Sequence, residues 1–234
     1  MRQVAILFPH QLFDQSNLPL ADAEVYLVEE TLFFNQYKFH KQKLAFHRAS
    51  MKAYADELNE RGIELYYIDA TDERSDVRVL IEALSENGTD RLHIIDPTDD
   101  WLSKRIQRSC AENGVELTEH ASPLFINSKQ ELRPFFRSDK KSFFQTSFYK
   151  KQRKERDILM DAPNQPAGGK WTYDVDNRKP YPKDKKPPTV EFPEADEHWK
   201  EAVEYVEANF AENYGERGRK VLGHAKPCIT REKT

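Results

Sequence analysis

Glycine is scarce in this chain, 8 in 234 residues beside 13 prolines. A glycine-rich phosphate cradle is hard to build from so few. No dinucleotide fingerprint follows the first apolar run, and no phosphate loop with a Lys-Ser/Thr ending occurs anywhere. A His-Glu-x-x-His zinc pair and a Gly-x-Ser-x-Gly nucleophile elbow are also missing. The two cysteines, Cys110 and Cys228, exclude a disulfide framework and a four-cysteine metal site. No apolar run approaches the roughly 18 residues of a spanning helix, and the mean hydropathy is −0.84. Behind Met1-Arg2 only residues 4–8 are continuously apolar, with no small-residue cleavage site. That argues against a signal peptide, so a cytoplasmic protein without a membrane partner is expected.

Aromatic residues make up 12% of the chain, with 14 Phe and 10 Tyr, too many for a chain disordered throughout. The net charge of −4 is unevenly spread. Residues 137–190 hold 14 Lys/Arg against 7 Asp/Glu, and the remainder holds 22 against 33. A basic segment on an acidic body suits a local, polyanionic partner such as DNA, or else a solvated linker.

The first 120 residues alternate short apolar runs with amphipathic stretches. The runs at 4–8, 25–28, 65–68 and 92–95 read as buried parallel strands, and 115–117 reads as a fifth. Between 41 and 61, Leu44, Met51, Tyr54, Ala55 and Leu58 recur at helical spacing and Gly62 supplies the stop. Ser75 is placed to cap a helix with the stripe Val77, Leu80, Ile81 and Leu84. Leu102, Ile106 and Cys110 mark another, on which Cys110 is expected to pack as a small apolar residue. This alternation predicts a doubly wound, mainly parallel five-stranded α/β sheet. Its ligands would sit beyond the carboxyl ends of the strands, where strand order reverses. Beyond 120 a short helix over 128–137 and a longer one over 144–160 are expected. A proline-rich connection over 161–193 and a helix over 194–213 follow, the latter with Trp199, Val203, Val206 and Phe210 on one face. The division expected is 1–135 for the α/β domain, 136–193 for a basic helix and linker, and 194–234 for a terminal helix and tail.

Two stretches stand out. In residues 39–48, His40 and Lys41 open the helix after the second strand, where free N–H groups favour an anion. Near them Glu29 and Glu30 end that strand. Both signs of charge together suit a flat polar heterocycle, although an ordinary solvated helix end has the same composition. Residues 166–180 place Trp171, Tyr173, two acids, Asn177 and Arg178 in one loop, which either docks on a partner or folds back on its own domain.

These pieces resemble the deoxyribodipyrimidine photolyase-related proteins, the group of the iron–sulfur bacterial cryptochromes and prokaryotic (6-4) photolyases. The resemblance extends to about Glu216. It rests on Gln11-Leu12 after the first strand, Glu29 ending the second, and His40-Lys41-x-Lys43-Leu44-Ala45-Phe46 opening the long helix. Phe148-Tyr149 with the basic 150–156, Leu159-Met160, and the loop Pro166-x-Gly168-Gly169-Lys170-Trp171 through Asn177-Arg178 complete it. The resemblance implies a photolyase-type N-terminal domain holding an antenna, 6,7-dimethyl-8-ribityllumazine, that passes near-ultraviolet or blue excitation to a flavin. It assigns His10, Gln11, Leu12, Glu29, Glu30, His40, Lys43 and Phe46 to the antenna site, with His10 standing where the family commonly has Asp. The family's FAD and [4Fe–4S] cluster belong to a helical C-terminal domain, and two cysteines cannot ligate such a cluster. Photorepair by this chain alone is therefore not expected. Three readings follow: an antenna domain serving a light-dependent partner, one part of a (6-4) photolyase needing a separate flavin domain, or a chromophore-free interaction module. With its catalytic half elsewhere, the Trp199/Phe210 face would be exposed and available for a flavin-domain partner or self-association.

Overall fold

A computed structural model describes residues 1–14, 17–172, 180–186, 188–189 and 194–215. Residues 173–179 of the aromatic loop, Cys228 and the tail beyond Gly215 lie outside the described residues. The chain divides into two compact units. One is Met1–Leu124 with the described part of Glu191–Thr234, and the other is Phe125–Val190.

In the first unit the elements run β1 (Arg2–Leu7), β2 (Glu24–Val28), α1 (Thr31–Phe34), α2 (Lys41–Glu60), β3 (Leu65–Ile68), α3 (Val77–Glu86), β4 (Thr89–Ile95), α4 (Asp100–Glu112) and β5 (Glu116–His120). All four strand pairings are parallel and the order is β3-β2-β1-β4-β5. This is the expected doubly wound sheet. The chain winds outward from β1 to β3, returns through α3, and winds the other way through β4 and β5. Strand order therefore reverses between β1 and β4.

Strand side chains alternate between faces. Val4, Ile6, Phe8, Val28, Leu92 and Ile94 pack under α3 and α4. Ala5, Leu7, Val25, Leu27 and Ile95 face α2. Burial on both sides explains why the central strands read as unbroken apolar runs. Helix ends follow the capping rules with one correction: the residue capping α3 is Asp76, not Ser75, and its carboxylate accepts from the Arg78 N–H at 3.0 Å. Ser75 instead closes a short 3-10 turn. Gly62 (φ 77°) and Gly114 (φ 67°) take the left-handed conformation that lets the next amide reach back into the helix, Ile63 to Leu58 and Val115 to Cys110.

The Trp199/Phe210 face departs from expectation. The C-terminal helix, Glu197–Asn209, packs along α2 and is not left open. Trp199, Ala202, Val206 and Phe210 are buried in the same core as Leu44, Ala45, Ala49 and Tyr54. Ala45 and Ala49 leave α2 slim enough for close approach. Burying Trp199, Val206 and Phe210 contributes roughly 1.5–3 kcal/mol each. The apolar stripe read from sequence is real, but α2 covers it within the same chain.

In the second unit, α5 (Lys129–Leu132) is closed by a Ser128/Glu131 capping box. It is followed by α6 (Gln145–Glu155) and by a two-stranded hairpin of β6 (Met160–Ala162) and β7 (Gln165–Pro166). Both helices are shorter than predicted. The hairpin sits where only irregular chain was expected, its turn made by Pro163 and Asn164 (φ 63°). The remaining helix, Glu197–Asn209, is α7 and belongs to the first unit.

Candidate functional site

The carboxyl ends of β1 and β4, where strand order reverses, are stitched together by the two residues after Pro9. His10 Nε2 lies 2.8 Å from the Pro97 carbonyl and Gln11 Nε2 donates to the Ile95 carbonyl at 2.9 Å. A carbonyl only accepts, so His10 carries its proton on Nε2 and presents a bare Nδ1. The same logic turns the Gln11 amide oxygen away from β4. Both acceptors, His10 Nδ1 and Gln11 Oε1, are buried and without a hydrogen-bond partner among the described residues. Gln11 is only 1% exposed. A buried polar group left unpaired costs about 1–3 kcal/mol, and two adjacent ones at a strand switch point to something that donates to them.

Around this edge the Phe33 ring lies 4.9 Å from His10 and 6.3 Å from His47, centroid to centroid. Burial, reinforced by Lys43 and His10, pushes the His47 imidazole down to about 4. Burial also lowers His10, against the opposing pull of its Pro97 bond and of Asp99. Lys43, itself lowered by burial, rests its ammonium 3.4 Å from the Phe39 ring centroid. The edge thus offers neutral imidazoles, bare acceptors, a flat ring and a single lysine.

Glu29 and Glu30, also assigned by sequence, follow the end of the neighbouring strand β2. Both oxygens of Glu29 are committed within the fold. Oε1 accepts from Arg48 at 2.8 Å and Tyr67 at 2.7 Å, and Oε2 from the Ala70 amide at 2.8 Å. Glu29 is fully buried, so its place at a strand end does not put it outside the core. Burial lifts its carboxyl above the ordinary range while Arg48, Tyr67 and Ala70 pull it back. Glu30 caps α1 through the Leu32 amide and is pushed up to about 7 by burial. Leu12 is half-buried against the core, and Phe46 is exposed.

His40 does open α2, its Nδ1 accepting from the Gln42 amide at 3.1 Å. The Lys41 amide is taken by the Tyr214 carbonyl at 3.0 Å, and the Tyr214 ring stands edge-on to His40 at 5.2 Å. An anion at this helix end would have to displace that segment. Gly215 (φ 97°) fits there because a Cβ would lie 2.3 Å from the His40 ring. Gly215→Ala is expected to lift the segment, seen as faster hydrogen exchange at the Lys41 amide. Unchanged protection would show that Tyr214 does not hold this end.

Sequence reasoning missed Phe33 and His47. His47 follows Lys43 by one helical turn and so shares its face, a signal that was available. Phe33 gave none, because its aim depends on the tight turn made by α1.

A depression of about 770 Å³ opens at the opposite, amino-terminal edge of the sheet, lined by Arg2, Glu24, Arg61 and Tyr66 among others. Arg2 and Glu24 pair with each other at 2.7 Å. None of its lining residues carries a buried unpartnered polar atom among the described residues. The strand switch is therefore the better candidate despite the hollow at the other edge.

The five parallel strands, with their order reversing between β1 and β4, define a doubly wound α/β domain. The chain belongs to the deoxyribodipyrimidine photo-lyase-related protein family, whose family model matches residues 5–220. It is 39% identical over 193 residues to the uncharacterized protein R852 of Acanthamoeba polyphaga mimivirus, covering 78% of this chain and 96% of that protein. It is 27% identical over 179 residues to the (6-4) photolyase of Agrobacterium fabrum. That match covers 75% of this chain and 35% of the photolyase, its N-terminal portion.

Proposed function

We propose that this chain is a light-harvesting module that binds a lumazine-type antenna at the β1/β4 strand switch. The observation that carries this reading is the pair of buried, unpartnered acceptors, His10 Nδ1 and Gln11 Oε1. A lumazine is flat and uncharged, with an imide N–H and ribityl hydroxyls to donate. His10 and Gln11 would accept from those donors, Phe33 would lie against the ring system, and Lys43 would serve a ring carbonyl. His47, held neutral, adds apolar surface without adding charge. When bound, such a chromophore absorbs near-ultraviolet or blue light and passes the excitation to a flavin.

The family's iron–sulfur cluster does not fit the residues of this chain. Four thiolates are required against two cysteines in the sequence. Burial also pushes the Cys110 thiol up to about 11, keeping it protonated. Light-driven lesion repair would then need a flavin-bearing partner. Matching 35% of a (6-4) photolyase supports that second reading.

The test is an absorption and fluorescence spectrum of the purified protein, with mass spectrometry of what heat releases and titration with added lumazine. A bound or acquired lumazine band is expected. His10→Phe keeps a ring but removes both the Nδ1 acceptor and the Nε2 bond to the Pro97 carbonyl, so it should weaken binding about tenfold, the equivalent of one net hydrogen bond, and lower stability by about 1 kcal/mol. A colourless protein that takes up no lumazine overturns the reading. Unchanged affinity in His10→Phe removes that residue from the site.

A further inference from the structure

A polar line crosses three strands of the first unit. Gln3 of β1, His93 of β4 and His120 of β5 share the sheet face that carries Ala5 and Ile95. His93 Nε2 lies 2.8 Å from Gln3 Oε1, and His93 Nδ1 lies 3.1 Å from His120 Nε2. An amide oxygen only accepts, so His93 carries its proton on Nε2 and turns a bare Nδ1 towards His120. His93 is 6% exposed, which fixes that orientation. His120 is half-buried and leaves a route in from solvent. Arg91, on the same face, is paired with Glu116 at 2.7 Å and so brings no unbalanced charge. Strand β5 is an edge strand, held in the sheet by β4 alone among the described residues.

We propose that His93 Nδ1 and His120 Nε2 together bind a divalent transition-metal ion of the zinc class, tying the edge strand β5 to β4. The spacing suits it. With Zn–N bonds of roughly 2.05 Å, two nitrogens on a tetrahedral zinc stand about 3.3 Å apart, so this pair need open by only about 0.2 Å. The Nε2–H bond to Gln3 is the outward hydrogen bond that a metal-bound imidazole ordinarily keeps, fixing both its tautomer and its aim. Imidazole nitrogens select zinc, copper or nickel, whereas magnesium and calcium require oxygen ligands. No third His, Cys, Asp or Glu joins the pair among the described residues, so water completes the coordination. Half the ligand set of a structural zinc site supports a Kd of roughly 1–200 µM. Without metal the same atoms make a plain hydrogen bond, with the proton on His120 Nε2. The metal site shares no residue with the antenna site and stands independently of that reading.

The experiment is calorimetric titration of the untagged full chain with zinc chloride, with magnesium chloride as the control, alongside NMR of the imidazole nitrogens. Zinc is expected to bind and magnesium not to. Of the 7 histidines, His93 and His120 should be the ones whose ring nitrogens move. Zinc at about 100 times its Kd should raise the Tm by roughly 5–10 °C. His120→Gln removes one ligand but keeps an amide N–H for His93, so it should bind zinc at least about tenfold more weakly while folding as the parent does. Gln3→Leu removes no ligand, yet it frees the His93 tautomer and should cost about 10- to 100-fold in zinc affinity. If His120→Gln fails to fold, Gln3→Leu and the imidazole signals of the parent decide. No zinc uptake up to about 1 mM reduces the pair to a hydrogen bond and overturns the proposal. Zinc uptake that leaves the His93 and His120 nitrogens unmoved, or that His120→Gln does not weaken, places the metal elsewhere and overturns it too.

Discussion

Arg48→Met is expected to destabilise the first unit by about 3–5 kcal/mol, the cost of leaving a buried carboxylate without its cation. For a chain of this size that corresponds to a fall in Tm of roughly 6–20 °C. Arg48 lies on α2, nearly buried, and joins four elements. It bonds Glu29 of the β2 end at 2.8 Å, Asp69 of the β3 end at 2.6 Å and Glu201 of α7 at 2.7 Å. Its guanidinium lies 3.5 Å from the Tyr205 ring centroid of α7. Burial opposes its charge, but the Glu201 bonds and the Glu29 charge outweigh that and hold it protonated, above the usual guanidinium range. The three carboxylates differ in worth. Glu29 is fully buried, whereas the Glu201 side chain is 47% exposed, so Glu201→Gln should cost under about 1 kcal/mol.

Two further outcomes make the assignment specific. In Arg48→Met the Glu29 carboxyl loses its cation, so its folded value rises further. A raised folded value gives stability that is present below the unfolded value and lost as pH rises through the folded one. The variant should therefore suffer less at pH 5 than at pH 8. Adding Glu29→Gln removes the stranded charge and should recover most of the loss. Urea melts of the four proteins decide this. A loss no larger than that of Glu201→Gln would mean that α7 is held by its apolar face alone.

This arrangement also marks where sequence reading stops. The central strands were legible because burial on both faces leaves runs such as 4–8 and 92–95 uninterrupted. The long helices were legible because one face of each repeats at 3.6 residues. His10 and Gln11 were legible as strand-end residues, since the doubly wound pattern alone puts the strand switch beside them. The partners of Glu29 were not. Arg48 sits in a helix rich in charged residues, and its distinction comes from Glu201, 153 positions away. The same holds for His40, whose helix end looked free until Tyr214 closed over it. Burial of the Trp199/Phe210 stripe needed tertiary knowledge too, because periodicity identifies an apolar face without naming what covers it. Ser75 and Asp76 are both good capping residues, and only backbone geometry separates them.

Glu30→Gln is expected to make the protein more stable above pH 7 and to leave it unchanged in acid. Glu30 is fully buried at the end of β2, where its carboxylate caps α1. Burial pushes its carboxyl from the ordinary 4.5 to about 7, and the Asp76 charge adds to this. The Leu32 and Val77 amides and Arg105 act against the rise without cancelling it. Because the folded value is the higher one, the folded protein binds this proton more tightly than the unfolded chain. The stability this confers is fully present below about pH 4.5 and gone once pH passes about 7. At 1.36 kcal/mol per unit, a rise of this size bounds the difference at roughly 3 kcal/mol. The amide of Glu30→Gln keeps an acceptor for the Leu32 N–H and cannot ionise, so the variant escapes the loss. Denaturant melts at pH 4.5 and pH 8 should give matching stabilities in acid and a gap of about 1–3 kcal/mol in favour of the variant in base. Parallel stabilities at both pH values, or a weaker variant at pH 8, would mean that Arg105 holds Glu30 as a paired anion. In that case the negative charge at the end of β2 is a fixed feature of the strand edge on which the candidate ligand site is built.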